Sequence, residues 1–382
     1  MNRIQYPAEK IKFHEEYISR FGDSEGKFDD CKKAVSSILS SGNSVFRSFD
    51  NISWNDIMVG SLDKLIELWD EFRVLDEQVK VKLNKEFGAC FDYDVHQADI
   101  ANFFMRYASE LHLCSCHYCN MDYINVFSNI EKYTGKLDFI NHASENELKE
   151  LFNIGKGKAR KIIEARQKKE FTSLEDLKRI SPAGYNSLND DSIRKWNHFT
   201  IDHYICRAKC KLFSLSLYNF VPCCVVCNSK LKHDDLVNEK GNILLKLSPS
   251  SEKFEFDKKV KFRLIISPDA NIMRFDQCME KFHIDIDTSE DADFDDFVRM
   301  FHLKSRYNFH KIEAVYLAYL KQKYPDSQIR EFRNILQGSV GGKYCFTQEM
   351  IKNDLFGRTV FQNSNRSFSK LKRDIYEELD SE

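Results

Sequence analysis

Asp202 and His203 close the apolar run Phe199-Thr200-Ile201, Asn219 follows, and Asn228 comes directly after the pair Cys224-x-x-Cys227. Far upstream stands a second pair with the same spacing, Cys116-x-x-Cys119. Two such pairs can each grip a zinc ion from one side, and four thiolates complete a closed tetrahedral site of the structural kind. The carboxylate, imidazole and two carboxamides between and after the pairs are the groups that metal-assisted phosphodiester cleavage needs. Cys114 and Cys223 stand beside the pairs, but Cys114-x-Cys116 and Cys223-x3-Cys227 suit a knuckle less well. Buried free thiols would not account for a spacing that occurs twice. An isolated Asp-His pair is usually an ordinary surface loop; here its position between two half-sites turns the reading toward catalysis.

A zinc knuckle framing Asp-His, Asn and Asn resembles the HNH, or His-Me finger, nucleases in their zinc-stapled form. The words Asp202-His203-Tyr204, Leu217-Tyr218-Asn219-Phe220-Val221-Pro222 and Cys224-x-x-Cys227-Asn228-Ser229-Lys230 are similar to HNH nucleases of retron and Septu-type anti-phage systems. The stretch Phe301 to His310 fits the same picture. So do Leu355-Phe356-Gly357, the run Arg366-Ser367-Phe368-Ser369-Lys370-Leu371, and Asp374-Ile375. The likeness covers residues 113–136 and 195–382. It departs from the pattern in a long insert, in the N-terminal region, and in Asn228, which replaces the last His as a common variant.

The resemblance implies the roles. Asp202 and Asn228 hold one divalent cation, Mg²⁺ or a similar ion, with positions open for phosphate and water. His203 is the general base, its neutral imidazole activating water near pH 7. Asn219 orients His203 and its loop by hydrogen bonds. An anti-phage effector working beside an ABC-type ATPase is also implied. No Gly-x4-Gly-Lys-Ser/Thr word occurs, so the sequence shows no nucleotide site of its own. Lys230 and Lys232 put positive charge beside the proposed cation, where a phosphate contact and a solvated face are equally good readings. His233 is a minor alternative ligand. His117 and His198 read as packing or local hydrogen-bonding residues.

Much of the insert between Cys119 and Asp202 forms one unit. Glu147-Leu148-Lys149-Glu150-Leu151 leads into Asn153-Ile154-Gly155-Lys156-Gly157-Lys158-Ala159, then a helix from Arg160 to Lys169. Ser173 is a plausible N-cap for the next helix, with Asp176 at its third position. Two helices joined by Gly-x-Gly look like a helix-hairpin-helix, and the flanking words resemble the competence-type DNA-binding version. Such glycines let backbone N–H groups at a helix N-terminus approach a phosphate, which the helix dipole favours. Gly155, Lys156, Gly157, Lys158 and Lys161 are therefore expected DNA contacts, with Lys230 from the finger; docking to a protein is the other reading. Asn153 stands where a glycine is usual and tolerates the left-handed conformation. A second hairpin at Ile180-Ser181-Pro182-Ala183-Gly184 reads as structural.

Composition bounds the rest. A chain of 382 residues with 42% hydrophobic and 30% charged side chains is ordinary globular material for two or three domains. A net charge of -2 gives no long-range pull on phosphate, so contacts must come from local basic patches. No apolar run approaches the roughly 20 residues that span a bilayer. The opening Met1-Asn2-Arg3-Ile4-Gln5-Tyr6 shows no sign of secretion, so its twelve cysteines suggest metal ligation and the cytoplasm. The expected fold is α+β: a zinc-stapled ββα-metal (HNH) core interrupted by a helix-hairpin-helix insert. Its segments are a helical region at 1–112, the first part of the finger at 113–136, the insert at 137–194, the core at 195–240 and a mainly helical region at 241–382. The expected activity is hydrolysis of DNA phosphodiester bonds. The rivals are a non-catalytic nucleic-acid-binding subunit and a nuclease acting on tRNA or other RNA.

Overall fold

The computed structural model describes residues 1–22, 25–189, 193–339, 346–362 and 365–381. Met1–Ile124 and Phe199–Glu382 together build one compact unit, and Asn125–His198 builds another. The architecture is mixed α+β, mostly helical; the strands among the described residues occur as antiparallel pairs.

The first unit opens with α1 (Lys10–Ile18), α2 (Glu25–Ser41), α3 (Arg47–Asp50), α4 (Trp54–Val59), α5 (Leu62–Arg73), α6 (Glu77–Cys90) and α7 (Tyr93–Arg106). A helix leaves its first N–H groups without partners. Ser53 and Asp56 answer that need with a reciprocal capping box on α4, and the carboxylates of Asp76 and Asp92 do so on α6 and α7. Apolar residues recur here at helical spacing, and they are core: Leu62, Leu65, Ile66, Leu68, Trp69 and Phe72 on α5, and Ile100, Phe103 and Phe104 on α7, are buried. Phe13 and Tyr17 of α1 each lie 4.9 Å, ring to ring, from Phe103.

The second unit begins and ends with a short stem, β1 (Val126–Phe127) against β2 (Trp196–Asn197). Between them lie α8 (Lys136–His142), α9 (Glu145–Leu148), α10 (Lys156–Lys168), α11 (Leu174–Ile180) and α12 (Pro182–Asn189). Their apolar faces share one core that includes Phe139, Leu148, Ile154, Ile162 and Leu177. The unit is wider than the 137–194 stretch marked by its motif words, because the stem and the turn before α8 belong to it.

In the remainder of the first unit β3 (Thr200–His203) pairs with β4 (Phe220–Cys223), setting Asp202 opposite Val221 and His203 opposite Phe220. β4 runs into a π-helical segment, Val226–Lys232, closed by His233 N–H donating to the Asn228 carbonyl at 2.8 Å. Then come α13 (Gly241–Leu247), α14 (Phe256–Lys259), and β5 (Lys261–Ile266) paired with β6 (Phe282–Asp287). The alternation from Phe254 to Ile266 suggests one or two strands; one forms, β5, and 256–259 before it is a helical turn. Phe256 is drawn inward there against Phe294 and Phe297. The C-terminal helices are α15 (Phe294–Met300), α16 (Leu303–Phe309), α17 (Ile312–Lys323), α18 (Asp326–Ser339), α19 (Gln348–Phe356), α20 (Arg358–Phe361) and α21 (Ser369–Ser381). The sequence suggests one helix over Phe297–Tyr324, but the helix is interrupted, since His302 turns left-handed at φ +48°. No helix among the described residues is long and apolar enough to cross a membrane.

Candidate metal centre and nucleic-acid interface

Cys116, Cys119, Cys224 and Cys227 converge, all buried, with their sulfur atoms within 4.8 Å of one another. A tetrahedral zinc with Zn–S bonds of about 2.3 Å requires sulfurs roughly 3.8 Å apart, and Cys119 and Cys224 stand at 4.0 Å. The four residues could hold a structural metal such as zinc. Cys114 is exposed and Cys223 is buried beside Thr200; neither belongs to the set.

Residues of the stretches 301–310 and 366–371 pack around this cluster. Arg306 Nη1 donates to Cys227 Sγ at 3.3 Å and the Tyr307 hydroxyl donates to the Cys119 carbonyl at 2.7 Å. Asn120, left-handed at φ +53°, is tied by its side chain to the Arg366 carbonyl and the Lys370 N–H. Tyr118 stacks on Phe301 at 4.3 Å.

Consecutive residues of a strand point to opposite faces, and Asp202 and His203 obey. On one face Asp202, 3% exposed, accepts from the Tyr118 hydroxyl at 2.6 Å and from Lys232 at 3.1 Å. Burial pushes its carboxyl above the ordinary range, with Lys232 and Tyr118 opposing. Lys232 therefore does not occupy a solvated face: it is wholly buried and also donates to the His203 carbonyl at 2.9 Å. The π-helical turn carries it there.

On the other face the His203 ring packs against Tyr93 at 4.5 Å and Phe220 at 5.0 Å. Its Nε2 lies 3.0 Å from the Ser214 carbonyl. A carbonyl only accepts, so Nε2 carries the proton and Nδ1 carries the lone pair. Burial holds the imidazole neutral, its pKa lowered to about 3. Asn219 is fully buried and ties the 204–219 loop: Oδ1 accepts from Ile205 N–H at 2.7 Å, and Nδ2 donates to the Ile205 and Phe213 carbonyls. Its own carbonyl accepts from Tyr204 N–H, next to His203.

Asn228 is half-buried at the start of the π-helical turn, four residues before Lys232, and its carboxamide makes no hydrogen bond to the described residues. Lys230 is exposed. His233 is exposed beside Asp234. His117 is buried against the Asn2 carbonyl, and His198 pairs with Asn125. Tyr93, Tyr118 and Arg306 are partners of the site that the sequence does not single out, and Lys232, expected at a phosphate or in solvent, is instead a buried partner of Asp202. Only Tyr118, lying between the two knuckle cysteines, carried a positional signal.

In the inserted unit Gly155 caps α10, and an added Cβ at Gly155 or Gly157 would meet nothing within 4 Å. Neither has a positive φ. The protein's own packing thus gives no reason for glycine at these positions, whereas an approaching backbone does. Gly184, in the second hairpin, instead packs on Ser181 and Ile154. Asn153 takes the left-handed conformation at φ +59°. Lys156 and Lys161 are exposed, and Lys158 is exposed while reaching the Asn153 carbonyl at 3.0 Å. Arg166 is spent internally, on the Ile140 and Ala143 carbonyls at 2.7 Å each. Ser173 and Asp176 form the expected capping box on α11.

Residues 138–190 match the family model of the helix-hairpin-helix motif, which supports nucleic-acid binding by this unit. No curated protein and no solved structure matches the chain.

Proposed function

We propose that this chain is a divalent-cation-dependent HNH endonuclease that hydrolyses DNA phosphodiester bonds. The observation that carries the reading is the 3.0 Å contact of His203 Nε2 with the Ser214 carbonyl, since a proton held there puts the lone pair on Nδ1, where a general base needs it. Support comes from the chain order β3, Asn219, β4, then the turn bearing Asn228, with four cysteines bracketing it. The half-buried Asn228 carboxamide, which has no hydrogen-bond partner among the described residues, and the remaining lone pairs of Asp202 fit an oxygen-ligated cation. Such an ion, when bound, supplies charge stabilisation for the scissile phosphate. His203 would take the proton from the attacking water, and Asn219 would hold the loop on which Ser214 lies. The helix-hairpin-helix favours DNA as the target. A place in anti-phage defence beside an ABC-type ATPase belongs to the same proposal, on the resemblance of finger and tail.

The Lys232–Asp202 pair favours a second reading, a nucleic-acid-binding subunit that keeps the finger as scaffold. Its ammonium already neutralises the carboxylate that a cation would need. Incubating purified protein with supercoiled plasmid and Mg²⁺ or Mn²⁺ separates the two. Nicking by the parent and not by His203→Ala, both shown folded by thermal melts, supports the nuclease; equal cleavage by both, or none by either, rejects it.

A further inference from the structure

Phe152 sits in the turn between α9 and α10 with 65% of its surface exposed, more than any other described large apolar side chain of its unit. Its neighbours Leu151 and Ile154 are in the core, so the turn holds one ring outward. The backbone beneath it is fixed. Phe152 N–H donates to Ser187 Oγ at 2.8 Å, Ile154 N–H donates to the Leu151 carbonyl at 3.1 Å, and Lys158 clamps the Asn153 carbonyl. Directly after the ring comes the open ground of Gly155 and Gly157, with Lys156 exposed between them.

We propose that Phe152 stacks into the bases of DNA held by this hairpin, so that the unit prefers DNA whose stacking is already broken by an unpaired base. This rests on nucleic-acid binding by the inserted unit and is independent of catalysis. Phosphate contacts position a protein but carry no information about the bases. An aromatic ring adds a stacking gain that any base can supply. In continuous duplex that gain is offset by the cost of prying a base step apart, whereas at a bulge the step is already open. An outward ring on a fixed backbone, beside a phosphate contact, therefore selects for structure and not for sequence.

The test is anisotropy on the full chain, without added divalent ion. The probes are a short continuous duplex and the same duplex bearing one unpaired 2-aminopurine. The parent should bind the bulged probe about tenfold tighter, within the usual worth of one stacked base, and quench its fluorescence. Phe152→Ala should lose both the preference and the quenching, Phe152→Trp should keep them, and all three should share one salt slope because no charge changes. Equal affinity of the parent for both probes, or a preference that survives in Phe152→Ala, overturns the role of Phe152. If neither probe binds, nucleic-acid binding by the hairpin fails and takes this inference with it. A protein that binds as expected but never cleaves leaves it standing.

Discussion

Lys232 Nζ lies 3.1 Å from the Asp202 carboxylate, with the two side chains 0% and 3% exposed. A buried ion pair contributes little net stability, yet removing one partner strands the other charge at about 3–5 kcal/mol. Lys232→Met should therefore destabilise the protein by about that amount, and Lys232→Met with Asp202→Asn should recover much of it. Chemical denaturation of the three proteins checks this; a double variant weaker than either single one would contradict the pairing.

His203→Ala removes a ring packed between Tyr93 and Phe220, so it cannot be silent toward folding. A large-to-small change in a core costs about 2–5 kcal/mol. Loss of a positioned base should lower cleavage by roughly 10²–10⁴-fold. Tyr93→Phe keeps the ring contact, so its rate and melting temperature should stay near the parent's.

Arg306 touches a cysteine sulfur directly, and partners of metal ligands typically tune affinity 10–100-fold. Purified protein should carry one zinc per chain. Arg306→Ala should surrender it to a chromophoric chelator at concentrations that spare the parent, while Cys227→Ser should fail to hold it at all. Identical zinc release from Arg306→Ala and parent would remove Arg306 from the site.

Acid should loosen the inserted unit through Glu147. Burial pushes its carboxyl up, but Lys132, Ser144 and Tyr133 outweigh that and hold it down at about 2, against an ordinary 4.5. A depressed folded-state pKa means that the unfolded chain binds more protons in this window. Stability is then present above 4.5 and drains as the pH falls toward 2. The urea midpoint should follow that limb in the parent and flatten in Glu147→Gln.

Basic residues of the hairpin should divide into two behaviours. Changing Lys156, Lys158 and Lys161 together to Glu should weaken DNA binding and flatten its salt dependence. Arg166→Ala should instead lower stability by about 2–3 kcal/mol, because its charged donors satisfy two backbone carbonyls. Salt titrations paired with melting curves distinguish them.

Local rules made part of this molecule readable. Paired Cys-x-x-Cys spacing led to the convergent sulfurs, apolar periodicity to the buried faces of α5 and α7, and the Gly-x-Gly words to the hairpin. Lys232 was unreadable because nothing in Lys-Leu-Lys tells which lysine a π-helical turn folds inward. Arg166 reads as one more cation of a basic helix because its carbonyl partners lie on and just after another one. Tyr93 is buried at the start of α7, and its packing on His203 is set by tertiary contacts that no spacing encodes.

The β1–β2 stem has a consequence for the order of folding. Cys119 and Cys224 are 105 positions apart, a long loop for a metal to close. His198 N–H meets the Asn125 carbonyl at 2.9 Å once the stem pairs, which removes the inserted unit from that loop. Closing cost grows with the logarithm of loop length, so prior folding of the insert should ease closure by about 1 kcal/mol. The inserted unit is then a splint for the metal site: zinc capture would be fastest in chains whose insert has already formed.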